Sequence, residues 1–457
     1  MSSSGTLQVK CPIHRLTAET VGTFDKEWFR TQVTVLAAKV PAHKAGLLMQ
    51  APALRKTLLD LPQIKRVIPC EDGSRLVLLR VTEKAALLPE AVTLFEQENI
   101  ELSEHTLDLD YNFWTVEDIF QAVLPEDLLE GAPAGFATVG HISHLNLNDE
   151  YLPYKYIIGQ VILDKLPTIR TVVNKLDNID NKFRVFEMEV LAGENNFVVE
   201  QSESSCTFRF DFSQVYWNSR LHTEHARLVD TFKPEDVVAD VFAGVGPFAV
   251  PAGKRGVAVL ANDLNPKSYE YMVGNIKHNK VTELVRAYNE DGREFIRVAA
   301  RRLLDEPLPP YKPHKSIREL KAERRSRNQQ PSQLNPQVPS LPPRNKIDHF
   351  VMNLPDTAIE FLDAFRGILS SERIGGRDPT GVYRKEPSSM PMVHCYCFTR
   401  ELEFDKAEED IRQRVEKAMG APLEGEVSLH AVRRVAPKKD MYCISFRLPV
   451  GVAFATT

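Results

Sequence analysis

Cysteine is scarce in this chain of 457 residues, which contains only six, at scattered positions. Scattered cysteines give no disulfide framework and are typical of a protein from a reducing compartment. The one close pair, Cys395 and Cys397 in MVHCYCF, lacks both the spacing of zinc ligands and a second ligand cluster. We therefore predict a buried strand at this segment and no metal site.

Long apolar runs are also missing, and a membrane-spanning helix needs about 18 or more consecutive apolar residues. We therefore expect no membrane span. The net charge of −5 argues against a uniformly basic nucleic-acid-binding protein, although a local basic patch can still hold phosphates. The content of 43% hydrophobic and 26% charged residues is typical of globular proteins, and the length indicates two or three domains.

Acidic residues are missing from the N-terminus before Glu19, where serines occur together with Lys10 and Arg15. This composition is similar to that of a mitochondrial transit peptide, but arginine is infrequent, and an ordinary disordered terminus has the same features. We expect the protein in the cytoplasm, the nucleus and the mitochondrial matrix, with the division among them left open.

Three regions follow one another along the chain. Residues 1–110 mix amphipathic segments with strand-like runs such as SRLVLLRV, and residues 111–225 combine helical patterns with β-rich runs such as CTFRFDFSQVYW. Residues 226–457 alternate strand, loop and helix, which predicts a parallel sheet wrapped by helices. The last two strand patterns are joined by PKKD, which is too short for a parallel crossover. We predict an α/β Rossmann-like sheet ending in an antiparallel hairpin, preceded by two smaller α+β regions.

One segment, residues 306–346, interrupts the α/β pattern with clustered prolines around the basic stretch IRELKAERRSR. Such a composition cannot bury a core, so we predict a solvated insertion. A supplementary arm that contacts RNA phosphates is the alternative interpretation.

A glycine-rich loop follows the first strand of the α/β region in DVFAGVGPF, where Asp240, Phe242, Gly244 and Gly246 are candidate cofactor contacts. Glycines at this point let the backbone approach a ligand at the carboxyl edge of the sheet. The third glycine of the dinucleotide fingerprint is missing, which disfavours a pyrophosphate ligand. S-Adenosylmethionine instead carries a sulfonium and an ammonium, and an acidic residue beside the loop suits such a ligand.

Two further acids follow the next two predicted strands. Asp263, with Leu264, comes about twenty residues later, where a carboxylate can accept hydrogen bonds from both ribose hydroxyls. Asp291 can accept from the adenine amino group, and Gly292 keeps the backbone close. Each acid alone fits a cap or a turn. Together they predict an S-adenosylmethionine-dependent methyltransferase.

The fourth strand pattern ends in Val-Met-Asn353-Leu-Pro, which places an amide at the same rim as the methyl donor. This segment resembles the Asn/Asp-Pro-Pro motifs of enzymes that methylate ring or exocyclic nitrogens. Asn353 offers both a donor and an acceptor and could hold the edge of a base, or it could begin a turn before the proline.

Seven segments in one order now give a specific resemblance. The sequence resembles the archaeal and eukaryotic tRNA (guanine-N1)-methyltransferases, which make 1-methylguanosine at position 37, beside the anticodon. The segments that carry the resemblance are FRVFEMEVLAGE (183–194), VYWNSRLHTEHARL (215–228), DVFAGVGPFAVPAGK (240–254), NDLNP (262–266), NEDGREFI (289–296), DHFVMNLP (348–355) and VHCYCF (393–398).

The resemblance implies a three-part monomeric enzyme whose N-terminal module touches the outer corner of the tRNA. It implies that Glu224 is the base, that Arg184 holds the guanine O6, and that Asn353 is the asparagine of the Asn-Leu-Pro segment. His225 stands where the family contacts the cofactor, although archaeal members commonly have arginine there. Chemistry agrees, because guanine N1 carries a proton that must leave before the methyl arrives, and a buried glutamate can accept it.

Two alternatives stay open at this point. An aminocarboxypropyl transferase of the wybutosine pathway resembles the same family and uses the same cofactor on the same nucleotide, and the mass of the product distinguishes it. An inactive tRNA-binding protein would retain the fold without the chemistry, which the intact acids and glycines disfavour.

Overall fold

The computed structural model describes residues 7, 9–133, 135–176, 183, 185–311 and 342–456. Two compact units are present: the first comprises Met1–Ala137, Ser143–Lys175 and Glu189–Asn195, and the second comprises Thr138–Ile142, Leu176–Met188 and Asn196–Thr457. No helix among these described residues is both long and apolar enough to cross a membrane. The division of function among the three sequence regions stays a prediction.

The first unit contains a four-stranded sheet in the order β2-β3-β1-β4. Its strands are β1 (Thr31–Pro41), β2 (Val67–Pro69), β3 (Ser74–Leu78) and β4 (Glu101–Leu109). Alternate residues of β1 enter two different core clusters, with Val35 and Ala37 in one and Leu36 and Ala38 in the other. Both faces of this strand are therefore buried, which explains its continuous apolar run.

Four α-helices in the described part of the chain belong to the same unit: α1 (Ala42–Gln50), α2 (Pro89–Gln97), α3 (Val116–Val123) and α4 (Lys155–Lys165). Helix α3 begins with a capping box, because Thr115 Oγ1 accepts from the Asp118 amide and Asp118 Oδ2 accepts from the Thr115 amide. Strand β7 (Thr171–Lys175) lies between β6 (Ile142–Leu145) and β8 (Met188–Gly193). One core cluster joins the Val35 face of β1 with α3, α4 and β7, so the two predicted α+β regions share apolar packing.

The second unit is built on a seven-stranded sheet in the order β13-β12-β11-β14-β15-β17-β16. Its strands are β11 (Val237–Asp240), β12 (Ala258–Asn262), β13 (Val285–Tyr288), β14 (His349–Met352), β15 (Met392–Thr399), β16 (Val427–Ala436) and β17 (Lys439–Arg447). The first five strands in this order are parallel, and β17 runs antiparallel between β15 and β16. The predicted terminal hairpin is thus confirmed.

Within the described residues, six α-helices accompany this sheet: α5 (His222–Thr231), α6 (Ala249–Lys254), α7 (Pro266–His278), α8 (Gly292–Asp305), α9 (Phe404–Met419) and α10 (Val450–Ala453). The remaining strands in the described ranges are β5 (Ala137–Val139) and the hairpin of β9 (Val198–Glu203) with β10 (Cys206–Asp211). Strand β15 is buried along nearly its whole length, including Cys395 and Cys397, as the sequence predicts. The apolar side chains of the central strands form a core with α8 and α9.

The two ends of the proline-rich insertion are held together. Leu308 and Arg344 form an antiparallel bridge, with N–H···O distances of 3.0 and 3.1 Å. Residues 312–341, which include the basic stretch, lie outside the described residues, so both interpretations of the insertion stay predictions.

Candidate active site

Asp240 ends strand β11 and is fully buried. Neither carboxylate oxygen has a hydrogen-bond partner of good geometry among the described residues. Burial and the neighbouring charge of Asp263 raise the pKa of this carboxyl well above its usual range. The Phe242 amide lies close enough to lower this pKa slightly, but it makes no hydrogen bond of good geometry. A buried carboxyl without a well-formed hydrogen bond is costly unless a ligand satisfies it. The ammonium group of S-adenosylmethionine has the charge and the donors that this position calls for.

The loop after Asp240 needs glycine at two positions. Gly244 and Gly246 have φ values of +56° and +97°, in the left-handed region that glycine adopts without strain. A Cβ at Gly246 would lie 2.9 Å from Cγ2 of Val250, whereas one at Gly244 would meet no described atom within 4 Å. The loop therefore turns tightly at Gly246 and keeps its backbone open at Gly244.

Asp263 fixes this loop from the end of β12. Its Oδ2 accepts from the Gly244 amide at 2.8 Å, and its Oδ1 accepts from the Asn265 amide at 2.9 Å. Burial raises the pKa of the Asp263 carboxyl despite these two bonds. Each oxygen retains a second lone pair, so the predicted acceptance of ribose hydroxyls is compatible with the geometry. Leu264, directly after it, is half-buried.

Asn262 is a residue that the sequence reasoning missed. Its Nδ2 donates to the carbonyls of Val241 and Glu290, both at 3.1 Å, and its Oδ1 accepts from the Glu290 amide at 3.0 Å. One fully buried side chain thereby joins the carboxyl ends of three neighbouring strands. The available signal was an asparagine at the end of the otherwise apolar strand AVLAN.

Asp291 and Gly292 begin helix α8. Asp291 is exposed, and its carboxylate caps the helix by accepting from the Arg293 amide at 2.9 Å. A Cβ at Gly292 would lie 2.8 Å from the Phe242 ring, which itself packs edge-on against Phe361 with ring centres 5.0 Å apart. Gly292 thus makes room for Phe242 beside the loop. The contact of Asp291 with adenine stays a prediction.

Asn353 directly follows strand β14, which is the neighbour of the strand that Asp240 ends, β11. Asp240 pairs in register with Val351, so Asn353 lies two residues beyond that pair, past the carboxyl end of β14. Its Oδ1 is buried and has no hydrogen-bond partner among the described residues. An unpartnered amide oxygen at the rim of the sheet fits the expected acceptor for a base edge.

Glu224 lies in the first turn of α5, and only 4% of its surface is exposed. Arg227 holds the carboxylate with two bonds, from Nη2 to Oε1 at 2.6 Å and from Nε to Oε2 at 2.7 Å. Tyr396 donates its hydroxyl to Oε1 at 2.7 Å, and His430 Nε2 lies 3.3 Å from Oε2. The burial expected for a base is present, and four donor atoms surround the carboxylate.

His225, the next residue along α5, is also buried. Its Nδ1 lies 2.5 Å from Oε1 of Glu203, and its ring meets the edge of Phe248 with centres 4.7 Å apart. Since Phe248 belongs to the glycine-rich loop, His225 is placed beside the predicted cofactor site. Arg184 lies outside the described residues, so its predicted contact with O6 stays a prediction.

In this sheet the antiparallel strand β17 lies between β15 and β16, and all the other strands are parallel. This is the architecture of class I S-adenosylmethionine-dependent methyltransferases. The predicted cofactor site at its carboxyl edge rests on the glycine-rich loop and the acids at successive strand ends. Residues 199–320 match the model of the TRM5/TYW2 methyltransferase domain, and residues 116–196 match the TYW2 N-terminal domain. The chain belongs to the family of tRNA (guanine(37)-N(1))-methyltransferases.

Membership rests on relatives that match nearly end to end. The tRNA (guanine(37)-N(1))-methyltransferase of Coprinopsis cinerea is 55% identical over 439 residues, which cover 94% of each chain. The enzyme of that name from Schizosaccharomyces pombe is 47% identical, and the match covers 94% of each chain. The one from Saccharomyces cerevisiae is 42% identical, and the match covers 98% of this chain and 96% of its own length.

Solved structures share the fold. Trm5b from Pyrococcus abyssi superposes with a TM-score of 0.58 at 23% identity, covering 90% of this chain and 99% of its own. The structure of aTrm5 in complex with tRNALeu has a TM-score of 0.56 at 20% identity, with the same coverage.

Proposed function

We propose that this protein transfers the methyl group of S-adenosylmethionine to N1 of guanosine 37 in the tRNA anticodon loop. The observation that carries the proposal is a pair of buried groups on adjacent strands that have no hydrogen bond of good geometry within the described residues. The Asp240 carboxyl suits the cationic methyl donor, and the Asn353 amide oxygen suits a donor on the edge of the base. The names of relatives at up to 55% identity support the same reaction.

S-Adenosylmethionine, when bound, supplies a methyl group already activated by its sulfonium. Asp240 would hold the ammonium, Asp263 the ribose hydroxyls, and the open backbone at Gly244 would allow close approach. None of these groups reacts, and their contribution is to fix the direction of transfer.

Glu224 would take the proton from guanine N1. As the N1–H bond breaks, an O–H bond forms on the Glu224 carboxylate, and the freed N1 lone pair forms its bond to the methyl carbon. The methyl donor would leave as a neutral thioether that keeps the electron pair of the carbon–sulfur bond, so charge and atoms would balance. Arg227 contacts both oxygens, so one of its hydrogen bonds must weaken or lengthen when Glu224 becomes protonated.

Asn353 would hold the base edge while a cation stabilises the charge that grows on O6 as N1 loses its proton. The family resemblance assigns that cation to Arg184. A base within an anticodon loop must leave its stack to reach such a site. Tyr216, which is 46% exposed, would be available to stack on the base, whereas Trp217 is buried against Phe208 and Phe210 and serves packing.

The rest of the molecule extends the proposal. The N-terminal module would contact the outer corner of the tRNA, and the enzyme would act as a monomer in the cytoplasm, nucleus and mitochondrial matrix. Sedimentation of the purified protein with and without tRNA tests the monomer, and imaging of a C-terminally tagged chain tests the compartments.

Labelled methyl transfer to two matched transcripts tests the target position. A tRNA transcript with guanosine at position 37 should accept label, and the same transcript with adenosine at 37 should not. Equal labelling of both would contradict the position, and failure of labelled S-adenosylmethionine to bind would contradict the cofactor site.

A further inference from the structure

Three polar side chains stand side by side on the sheet beneath α5. Tyr396 of β15 pairs in register with Cys443 of β17, and Cys443 pairs in register with His430 of β16. Residues directly opposite each other on neighbouring strands project from the same face of a sheet. The row therefore presents Tyr396, Cys443 and His430 together toward the Glu224 carboxylate, which Tyr396 and His430 contact directly.

The two oxygens of Glu224 differ in how firmly they are held. Oε1 accepts from Arg227 at 2.6 Å and from Tyr396 at 2.7 Å. Oε2 accepts from Arg227 at 2.7 Å, and its second contact, with His430 Nε2, is longer at 3.3 Å. The His430 side chain is 46% exposed, whereas that of Glu224 is 5% exposed. Oε2 is therefore the oxygen with the weaker second partner, and that partner reaches solvent.

We propose that His430 is a positioning residue that controls whether Oε2 can accept the guanine N1 proton. Protonated His430 is a cation beside the carboxylate, so it stabilises the ionised form and occupies the acceptor position. Neutral His430 lies 3.3 Å from Oε2 without a hydrogen bond of good geometry, so it gives way to the N1–H group. The inference rests on the proposed function, since it assigns Glu224 as the base.

The charge states of the neighbouring groups leave His430 as the donor that switches. Its contact with Glu224 raises the pKa of Arg227 above an already high value, and burial raises the pKa of the Tyr396 hydroxyl well above its usual range. Burial also raises the pKa of the Cys443 thiol to about 12. Among the residue types facing the carboxylate from α5, β15, β16 and β17, histidine is the donor that changes charge between about pH 5 and 8.

The expected direction follows from this charge change. Histidine side chains in general gain a positive charge as the pH falls through about 8 to 5. A positive charge at position 430 would strengthen the hold on Oε2 and slow proton transfer, so the proposal predicts a lower rate of methyl transfer on the acid side. A glutamine at 430 retains a neutral donor that cannot titrate, and a lysine carries a positive charge through the neutral range. Comparing the two substitutions therefore distinguishes the effect of a positive charge at position 430 from the effect of replacing the histidine side chain.

The experiment is single-turnover formation of 1-methylguanosine at saturating S-adenosylmethionine, at pH 5.5 and 7.5, for wild type, His430→Gln and His430→Lys. The rate of His430→Gln relative to wild type should be about tenfold higher at pH 5.5 than at pH 7.5, and His430→Lys should be at least about tenfold slower than His430→Gln at pH 7.5. His278→Gln, at an exposed histidine of α7, is the matched control and should follow wild type.

Two results would overturn the inference: a ratio of His430→Gln to wild type that is the same at both pH values, or equal rates for the glutamine and lysine variants at pH 7.5. Binding of S-adenosylhomocysteine to each variant verifies the fold. If one of these results is obtained while the wild-type protein forms 1-methylguanosine, the inference about His430 is wrong and the proposed function still holds. If the wild-type protein forms no product at either pH, both the inference and the proposed function are wrong.

Discussion

The Asp263 carboxylate accepts a hydrogen bond from the Gly244 amide at 2.8 Å, which ties the glycine-rich loop to the end of the adjacent strand. The same carboxylate is the predicted partner of the ribose. Its loss would therefore both remove a contact with the ligand and loosen the glycine-rich loop. We predict that Asp263→Ala weakens S-adenosylmethionine binding roughly 10- to 100-fold, since a hydrogen bond to a charged group contributes about 1.5–3 kcal/mol.

Equilibrium binding by calorimetry measures this effect. Asp363→Ala removes a carboxylate that is paired with Arg293 on the surface, and it should bind the cofactor like wild type. An Asp263→Ala variant with unchanged affinity would show that the loop and the ribose do not depend on this carboxylate.

Gly292 gives a prediction about packing. A methyl group at this position would lie 2.8 Å from the Phe242 ring, so Gly292→Ala should destabilise the fold by about 1–3 kcal/mol through overpacking. Gly274→Ala on α7 is the matched change, because a Cβ there meets no described atom within 4 Å. It should stabilise the protein by about 0.5–1 kcal/mol through helix propensity. Urea unfolding midpoints compare the two, and equal stability of both variants contradicts the packing argument.

Glu224→Gln tests the base. The amide retains the shape of the side chain but cannot accept the N1 proton, so the rate of methyl transfer should fall about 100- to 10,000-fold with cofactor affinity within about twofold of wild type. Rapid-quench kinetics with excess enzyme isolates the chemical step. Glu294→Gln, in a surface ion pair with Arg297, serves as control. A rate within about threefold of wild type excludes Glu224 as the proton acceptor.

The histidine pair in the sheet predicts how stability depends on pH. His394 Nε2 lies 3.1 Å from His349 Nδ1, and its Nδ1 lies 2.8 Å from Ser445 Oγ. Burial, with the positive charges nearby, lowers the pKa of His394 well below 6.5. The unfolded chain therefore binds a proton that the folded chain excludes, and stability falls as the pH drops below about 6.5, by up to about 1.4 kcal/mol per pH unit for this group.

Urea unfolding at pH 7.5 and pH 5.0 measures that slope. His394→Gln removes the titrating group, so the loss of stability between the two pH values should be smaller in the variant than in wild type. His278→Gln leaves the buried histidines intact and should retain the wild-type loss. An identical loss in wild type and His394→Gln would mean that other groups account for the acid sensitivity.

Much of the α/β unit could be predicted from the sequence, because its signals are local. The apolar strand before Asp240, the glycines with positive φ and the short PKKD link each constrain the backbone directly, and they gave the sheet and its terminal hairpin. The acids at the strand ends were found by the same reasoning, since the carboxyl ends of parallel strands meet at one edge.

The partners of the site residues could not be predicted, because they depend on long-range register. Tyr396 reaches Glu224 from 172 positions away, and His430 reaches it from a different strand of the hairpin. A one-residue shift in either strand would have turned these side chains to the other face. The helix cap at Asp291 likewise appears only in the structure, while its predicted contact with adenine stays a prediction.

The identity of the modified nucleoside tests the central claim most directly. Purified protein, S-adenosylmethionine and a tRNA transcript with guanosine at position 37 should yield 1-methylguanosine in a nuclease digest analysed by mass spectrometry. A nucleoside carrying an aminocarboxypropyl group would identify a different transfer on the same fold. Unmodified guanosine at position 37, with cofactor bound, would contradict the account.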